Sequence, residues 1–135
     1  MLKKSWSGGS VAGGTTLISA DTAIHGEVRF RGNLDVEGHV HGDILAEPGC
    51  EAMVRVVDGA CVEGDIHAPL VLVNGRVEGN VYASRQVELA PRGCVEGDVY
   101  YAMVEMTAGS EVNGSLTHVP GEALEQQALA AFGGT

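Results

Sequence analysis

One five-residue pattern, apolar–any–Gly–any–apolar, recurs along this chain. It reads Ile24-His25-Gly26-Glu27-Val28, then Val36-Glu37-Gly38-His39-Val40, and overlaps itself at Val40-His41-Gly42-Asp43-Ile44. It returns at Val62 to Ile66, Val77 to Val81, Val95 to Val99 and Val112 to Leu116. The marker glycines Gly26, Gly42, Gly64, Gly79, Gly97 and Gly114 are separated by 16, 22, 15, 18 and 17 residues. The longest interval holds Glu47-Pro48-Gly49-Cys50-Glu51, which reads as a bulged corner. Val54-x-Val56, Val87-x-Leu89 and Val104-x-Met106 each begin eight residues before Val62, Val95 and Val112. These segments alternate with period two and none sustains helical spacing, so they are strands. A hairpin meander would not hold one motif at a fixed period. Three short strands and three corners take about 17 residues, one rung of a triangular β-helix. Such rungs stack at roughly 4.8 Å, so equivalent side chains form columns along the axis.

The predicted inward columns are Ile24, Ile44, Val62, Val77, Val95 and Val112, and then Val28, Ile66, Val81, Val99 and Leu116. Glycine takes the inward site between them, where walls approach or the chain bends tightly. Aromatics are only 4% of the chain while glycine counts 20. That composition suits a thin aliphatic interior in one domain of 135 residues. The net charge of −10 repels phosphate backbones, which excludes broad nucleic-acid binding. No apolar run approaches the ~20 residues of a membrane span, and no secretory signal is expected. Cys50, Cys61 and Cys94, odd in number and scattered, suggest a reducing cytoplasm.

The repeated V-E-G-D-[IV] strands, the six-rung length and the short irregular tails resemble the bactofilin family, over about Thr16 to Val119. The resemblance implies a right-handed β-helix of three parallel sheets. It implies end-to-end polymerisation, without nucleotide, into non-polar filaments. It also implies a bacterial cytoskeletal role at the inner face of the cytoplasmic membrane, in cell shape, polar organisation or recruitment of cell-wall enzymes. The expected organisation is a flexible tail at 1–15, the β-helix at 16–119 and a C-terminal tail at 120–135.

Polymerisation also follows from the pattern itself. A solenoid exposes unpaired backbone and apolar side chains at both ends unless they are capped. The first rung carries Leu17, Ile18, Ile24, Val28 and Phe30, and the last carries Val104, Met106, Val112, Leu116 and Val119. Neither has an obvious capping helix, so both sets are expected to form filament interfaces. The N-terminal peptide Met1, Leu2, Lys3, Lys4 and Trp6 holds both lysines and the only tryptophan. Apolar residues beside lysines suit an anionic bilayer interface, at about 1 kcal/mol per charge, and many copies on one filament bind by avidity. This matches the family's short membrane-targeting peptide. In the C-terminal tail, Leu124, Leu129 and Phe132 line one face of a short helix, marginal alone. Disorder, a docking peptide or a loose end-cover are its readings.

No catalytic, cofactor or metal residue is expected. His39 and His41 point outward, with His25 one rung below His41. A zinc site there is weighed against three solvated imidazoles, with no cysteine well placed to join. The His41 column continues as Glu63, Glu78, Glu96 and Asn113. Its neighbour runs Glu27, Asp43, Asp65, Asn80, Asp98 and Ser115. Solvated, mutually repelling acidic faces are expected there, so salt should promote lateral association of filaments. Tyr82 and Tyr100 should stack on adjacent rungs. Cys61 and Cys94 share a register with Arg76 between them, too far apart for a disulfide. No phosphate-binding glycine loop is present. The rival readings are a trimeric β-helix enzyme, of acyltransferase or carbonic-anhydrase type, and a non-polymerising adaptor. The enzymes' hexapeptide signature places glycine directly after the apolar residue, which this repeat does not.

Overall fold

The computed structural model describes residues 15–47, 51–121, 123 and 124. Within them the chain winds through short strands joined at tight corners, and every pairing is parallel and joins a strand to its counterpart in an adjacent turn. The first face stacks β2 (Ala23–His25), β5 (His39–His41), β8 (Cys61–Glu63), β10 (Arg76–Glu78), β12 (Cys94–Glu96) and β15 (Glu111–Asn113). The second face stacks β3 (Val28–Phe30), β6 (Ile44–Ala46), the first half of β9 (Ile66–Val73), the first half of β11 (Val81–Leu89), β13 (Val99–Tyr101) and β16 (Leu116–His118). The third stacks β1 (Thr15–Ile18), β4 (Gly32–Val36), β7 (Ala52–Val56), the second halves of β9 and β11, and β14 (Val104–Met106). The result is a parallel β-solenoid of about six triangular turns.

Alternation puts one apolar column inside the first face: Ile24, Val40, Val62, Val77, Val95 and Val112. The second face supplies Val28, Ile44, Ile66, Val81, Val99 and Leu116. The sequence reading had placed Ile44 over Ile24; register puts Val40 there and Ile44 over Val28. Aligning Gly26 with Gly42 gives the same result, with Val40 two residues before the marker and Ile44 two residues after it; the expected column passed over Val40. The third face adds Leu34, Val54, Val71 and Val87, with Val36, Val56, Val73 and Leu89 beside them, all fully buried. β-branched and leucine side chains fill this narrow interior without aromatic bulk.

The marker glycines differ from expectation in one respect. They sit at the corner between first and second faces, and a side chain there would project along the axis into the adjacent rung. At Gly64, φ is +157° and an added Cβ would strike the Gly42 carbonyl oxygen. The rungs are tied at this corner by hydrogen bonds along the axis: Gly42 N–H donates to Glu63 O at 2.9 Å and Gly64 N–H to Glu78 O at 3.0 Å. The bulged corner expected around Cys50 falls at 48–50, outside the described residues.

Candidate functional site

The two ends of the solenoid are the surfaces that the winding leaves unfinished. At one end β1, β2 and β3 each pair on one side only; at the other, β14, β15 and β16 do the same, among the described residues. Each therefore presents an unpaired backbone edge. The inward columns surface at the same places. Val77 and Val81 are 0% exposed, whereas Ile24, Val28 and Phe30 at one end and Val104 and Val112 at the other are only partly buried against the core. Met106 and Leu116 are 48% and 40% exposed.

Not every residue expected at the ends contributes in the same way. Ile18 heads the column of Val36 and Val56 and is buried. Leu17 lies in the outward column of Asp35 and Arg55 and is exposed on the outer wall of the edge strand. Val119 follows β16 and is half-buried, its N–H donating to Tyr101 O at 2.8 Å. The membrane-binding set Met1, Leu2, Lys3, Lys4 and Trp6 lies outside the described residues.

The outer columns carry charge in an ordered way. Asp43 Oδ1 accepts the Asp65 N–H at 3.0 Å, Asp65 Oδ1 that of Asn80 at 3.0 Å, Asn80 Oδ1 that of Asp98 at 3.0 Å, and Asp98 Oδ1 that of Ser115 at 3.1 Å. This column was expected to be merely solvated and self-repelling; instead each side chain satisfies a backbone donor of the next rung. A signal for it was present in sequence, as an Asp or Asn directly after most marker glycines. In the neighbouring column Arg76 donates to both Glu78 and Glu96, and His41 Nδ1 lies 3.2 Å from Glu63 Oε1. On the third face Arg55 pairs with both oxygens of Asp35 at 2.9 Å.

The ring ladders stand in register. His25 stacks on His41 at 4.7 Å between centroids, His67 on Tyr82 at 4.3 Å and Tyr82 on Tyr100 at 4.9 Å. His39 is 6.3 Å from His41. The closest metal-type grouping among the described residues is Cys61, Glu63 and Glu78, within 4.8 Å, rather than the histidines. Arg76 already neutralises Glu78 there. A depression of about 270 Å³, lined by Asp58, Cys61, Arg76, Arg92 and Cys94 among others, adjoins this group. Burial, and then the carboxylates Glu78 and Glu63, push the Cys61 thiol up, away from the thiolate a nucleophile needs. Cys61 and Cys94 are free and stand two rungs apart with Arg76 between.

Stacked similar rungs, an ordered exterior and, among the described residues, two open ends place this molecule among structural repeat proteins. Residues 16–117 match the family model described as "Bactofilin: Polymer-forming cytoskeletal". The chain belongs to the bactofilin family, a family of polymer-forming cytoskeletal proteins. Two solved structures are similar. One is a cryo-EM reconstruction of Thermus thermophilus bactofilin double helical filaments, at 26% identity and TM-score 0.66, covering 77% of this chain and 99% of that one. The other is the cytoskeletal bactofilin BacA, solved by solid-state NMR, at 30% identity and TM-score 0.68, covering 78% of this chain and 96% of that one. No curated protein sequence matches.

Proposed function

We propose that this protein polymerises end to end, without nucleotide, into non-polar filaments held at the inner face of the cytoplasmic membrane, where they scaffold cell-shape, polar or cell-wall machinery. The observation that carries the reading is the pair of open ends, where Val28, Phe30, Val112 and Leu116 continue the interior columns into solvent. Joining ends buries those side chains and pairs the edge strands, extending the core across the joint. Like-to-like joints are two-fold, each closed on itself, and alternating two of them gives a filament without polarity. The family resemblance supports that choice and the absence of nucleotide. Leu2, Lys3, Lys4 and Trp6 support the membrane role through avidity along the polymer.

The test is negative-stain electron microscopy of nucleotide-free protein, with and without residues 1–14. Thin unbranched filaments are expected from both, with co-sedimentation on anionic vesicles only from the full chain. Leu116→Glu should keep the fold by circular dichroism and lose filaments entirely. Filaments that survive this substitution, or discrete trimers from the wild type, would overturn the reading.

A further inference from the structure

We propose that His39, His41, Cys61 and Glu63, four neighbouring side chains on the outer wall of the first face, form a binding site for one zinc ion. The site does not depend on how filaments form. Residues two apart on a strand point to the same side of the sheet. Val40 and Val62, at the centres of β5 and β8, are sealed in the core, so the residues flanking them point outward. Parallel register sets His39 beside Cys61 and His41 beside Glu63. The sequence reading had found no cysteine placed to join the histidines; the register supplies one. The four occupy the corners of one patch, roughly 4.8 Å across the strands and roughly 6.6 Å along them.

The donor set and its spacing fit that ion. Zinc takes four ligands from thiolate sulfur, imidazole nitrogen and carboxylate oxygen, in a tetrahedron with bonds of about 2.0–2.3 Å. A nitrogen and an oxygen on one such ion are therefore about 3.3 Å apart. His41 Nδ1 and Glu63 Oε1 stand 3.2 Å apart. Cys61 Sγ lies within 4.8 Å of a Glu63 oxygen, and the His39 ring is 6.3 Å from that of His41. His39 is exposed and Cys61 half-buried, and both close the remaining distance by rotation of the side chain. His25 stacks on His41 at 4.7 Å, 6° from parallel, and holds that ring in place.

The same columns one turn farther along are built differently. Arg76 follows Cys61 in its column and donates to Glu78 and Glu96, so the carboxylates there already have a cation. Glu78 is for that reason not a ligand. Glu63 faces the His41 ring instead. A thiolate and a carboxylate balance the two charges of zinc, the two imidazoles bind neutral, and Cys61 gives up its proton to solvent as the ion arrives. An ion held there ties two adjacent turns together on the outside of the wall.

Full-length protein with Cys50→Ser and Cys94→Ser, which leaves Cys61 as the sole thiol, tests the site by titration with cobalt(II) in a phosphine reductant. Cobalt reports its own ligands: four-coordinate cobalt absorbs strongly in the visible, and a bound thiolate adds a charge-transfer band in the near ultraviolet. One equivalent with both signatures is expected, displaced by equimolar zinc. Cys61→Ser should abolish the ultraviolet band. His39→Ala and Glu63→Gln should each weaken cobalt binding at least tenfold while circular dichroism stays unchanged. A six-coordinate spectrum without the thiolate band would overturn the proposal. So would a band that survives the double variant His39→Ala with His41→Ala, which would assign the ion to Cys61, Glu63 and Glu78. Thermal unfolding supplies a second readout. Zinc should raise the midpoint of the parent protein and leave that of the double histidine variant unmoved, and an equal rise in both would overturn the site.

Discussion

The middle turns and the terminal turns of the solenoid are built from the same residues in the same columns, and they end in opposite environments. Val77 and Val112 share a column, as do Val81 and Leu116. Val77 and Val81 are shut away from water, while Val112 is partly open and Leu116 is 40% exposed. The motif does not distinguish sealed core from open end; position in the stack does. Among the described residues, the surface that each inner turn seals against its neighbour is left open at the last one.

The comparison breaks most sharply under a buried charge. Val77→Asp places a carboxylate in the sealed interior and should abolish cooperative folding, read as loss of the thermal transition. Val112→Asp, at the last position of the same column, should leave a folded protein that no longer assembles. Comparable unfolding by both would mean that the terminal turn is as integral as the middle.

The glycine corner gives the next effect. Gly64→Ala meets both a φ of +157° and the Gly42 carbonyl, and should lose several kcal/mol, on the order of strain plus overpacking. Gly26→Ala has a φ of +127° and open space around the new methyl, so only the strain of about 1–3 kcal/mol remains. Urea midpoints of the two variants compare them directly. The side-chain ladder is a gentler probe. Asp65→Ala strands the Asn80 N–H and should lower stability by about 1 kcal/mol. Glu27→Ala, which removes an exposed partner of Arg29 at the end of that column, should change it by less than about half of that.

The smallest expected effect is on pH. Burial pushes the His67 imidazole below its ordinary value. The unfolded chain therefore takes up this proton first as pH falls. Stability from this site is intact above the ordinary imidazole range and declines through it towards the lower folded value. His67→Phe should flatten that decline, read as urea midpoints at about pH 7.5 and about pH 5.5. An unaltered slope would place the acid sensitivity elsewhere.

Much of this was legible in the chain because a period and an alternation are direct imprints of rung length and strand pleat. The first-face column, the His41–Glu63–Glu78–Glu96 line and the Tyr82–Tyr100 stack all follow from aligning marker glycines. The phasing of Ile44 follows from the same alignment, since Gly26 over Gly42 puts Val40 level with Ile24 and Ile44 level with Val28; the column expected from sequence passed over Val40. The role of Asp43, Asp65, Asn80 and Asp98 left one trace, the Asp or Asn directly after four of the six marker glycines, and was otherwise unreadable. Composition reports a charge, whereas a hydrogen bond to the next rung depends on a corner geometry that composition does not carry. Leu45 and Met53 were unreadable as buried because period two assigns them to the outside.

The direction of the backbone hydrogen bonds has a mechanical consequence. In this fold the covalent chain circles the axis, while the hydrogen bonds run along it. Inside one molecule the winding chain also links each turn to the next, so a stretched subunit that loses hydrogen bonds is still tethered. No covalent strand crosses from one molecule to its neighbour. If the units join end to end as proposed, a rod under tension should part at its joints and release whole subunits, able to join again without refolding.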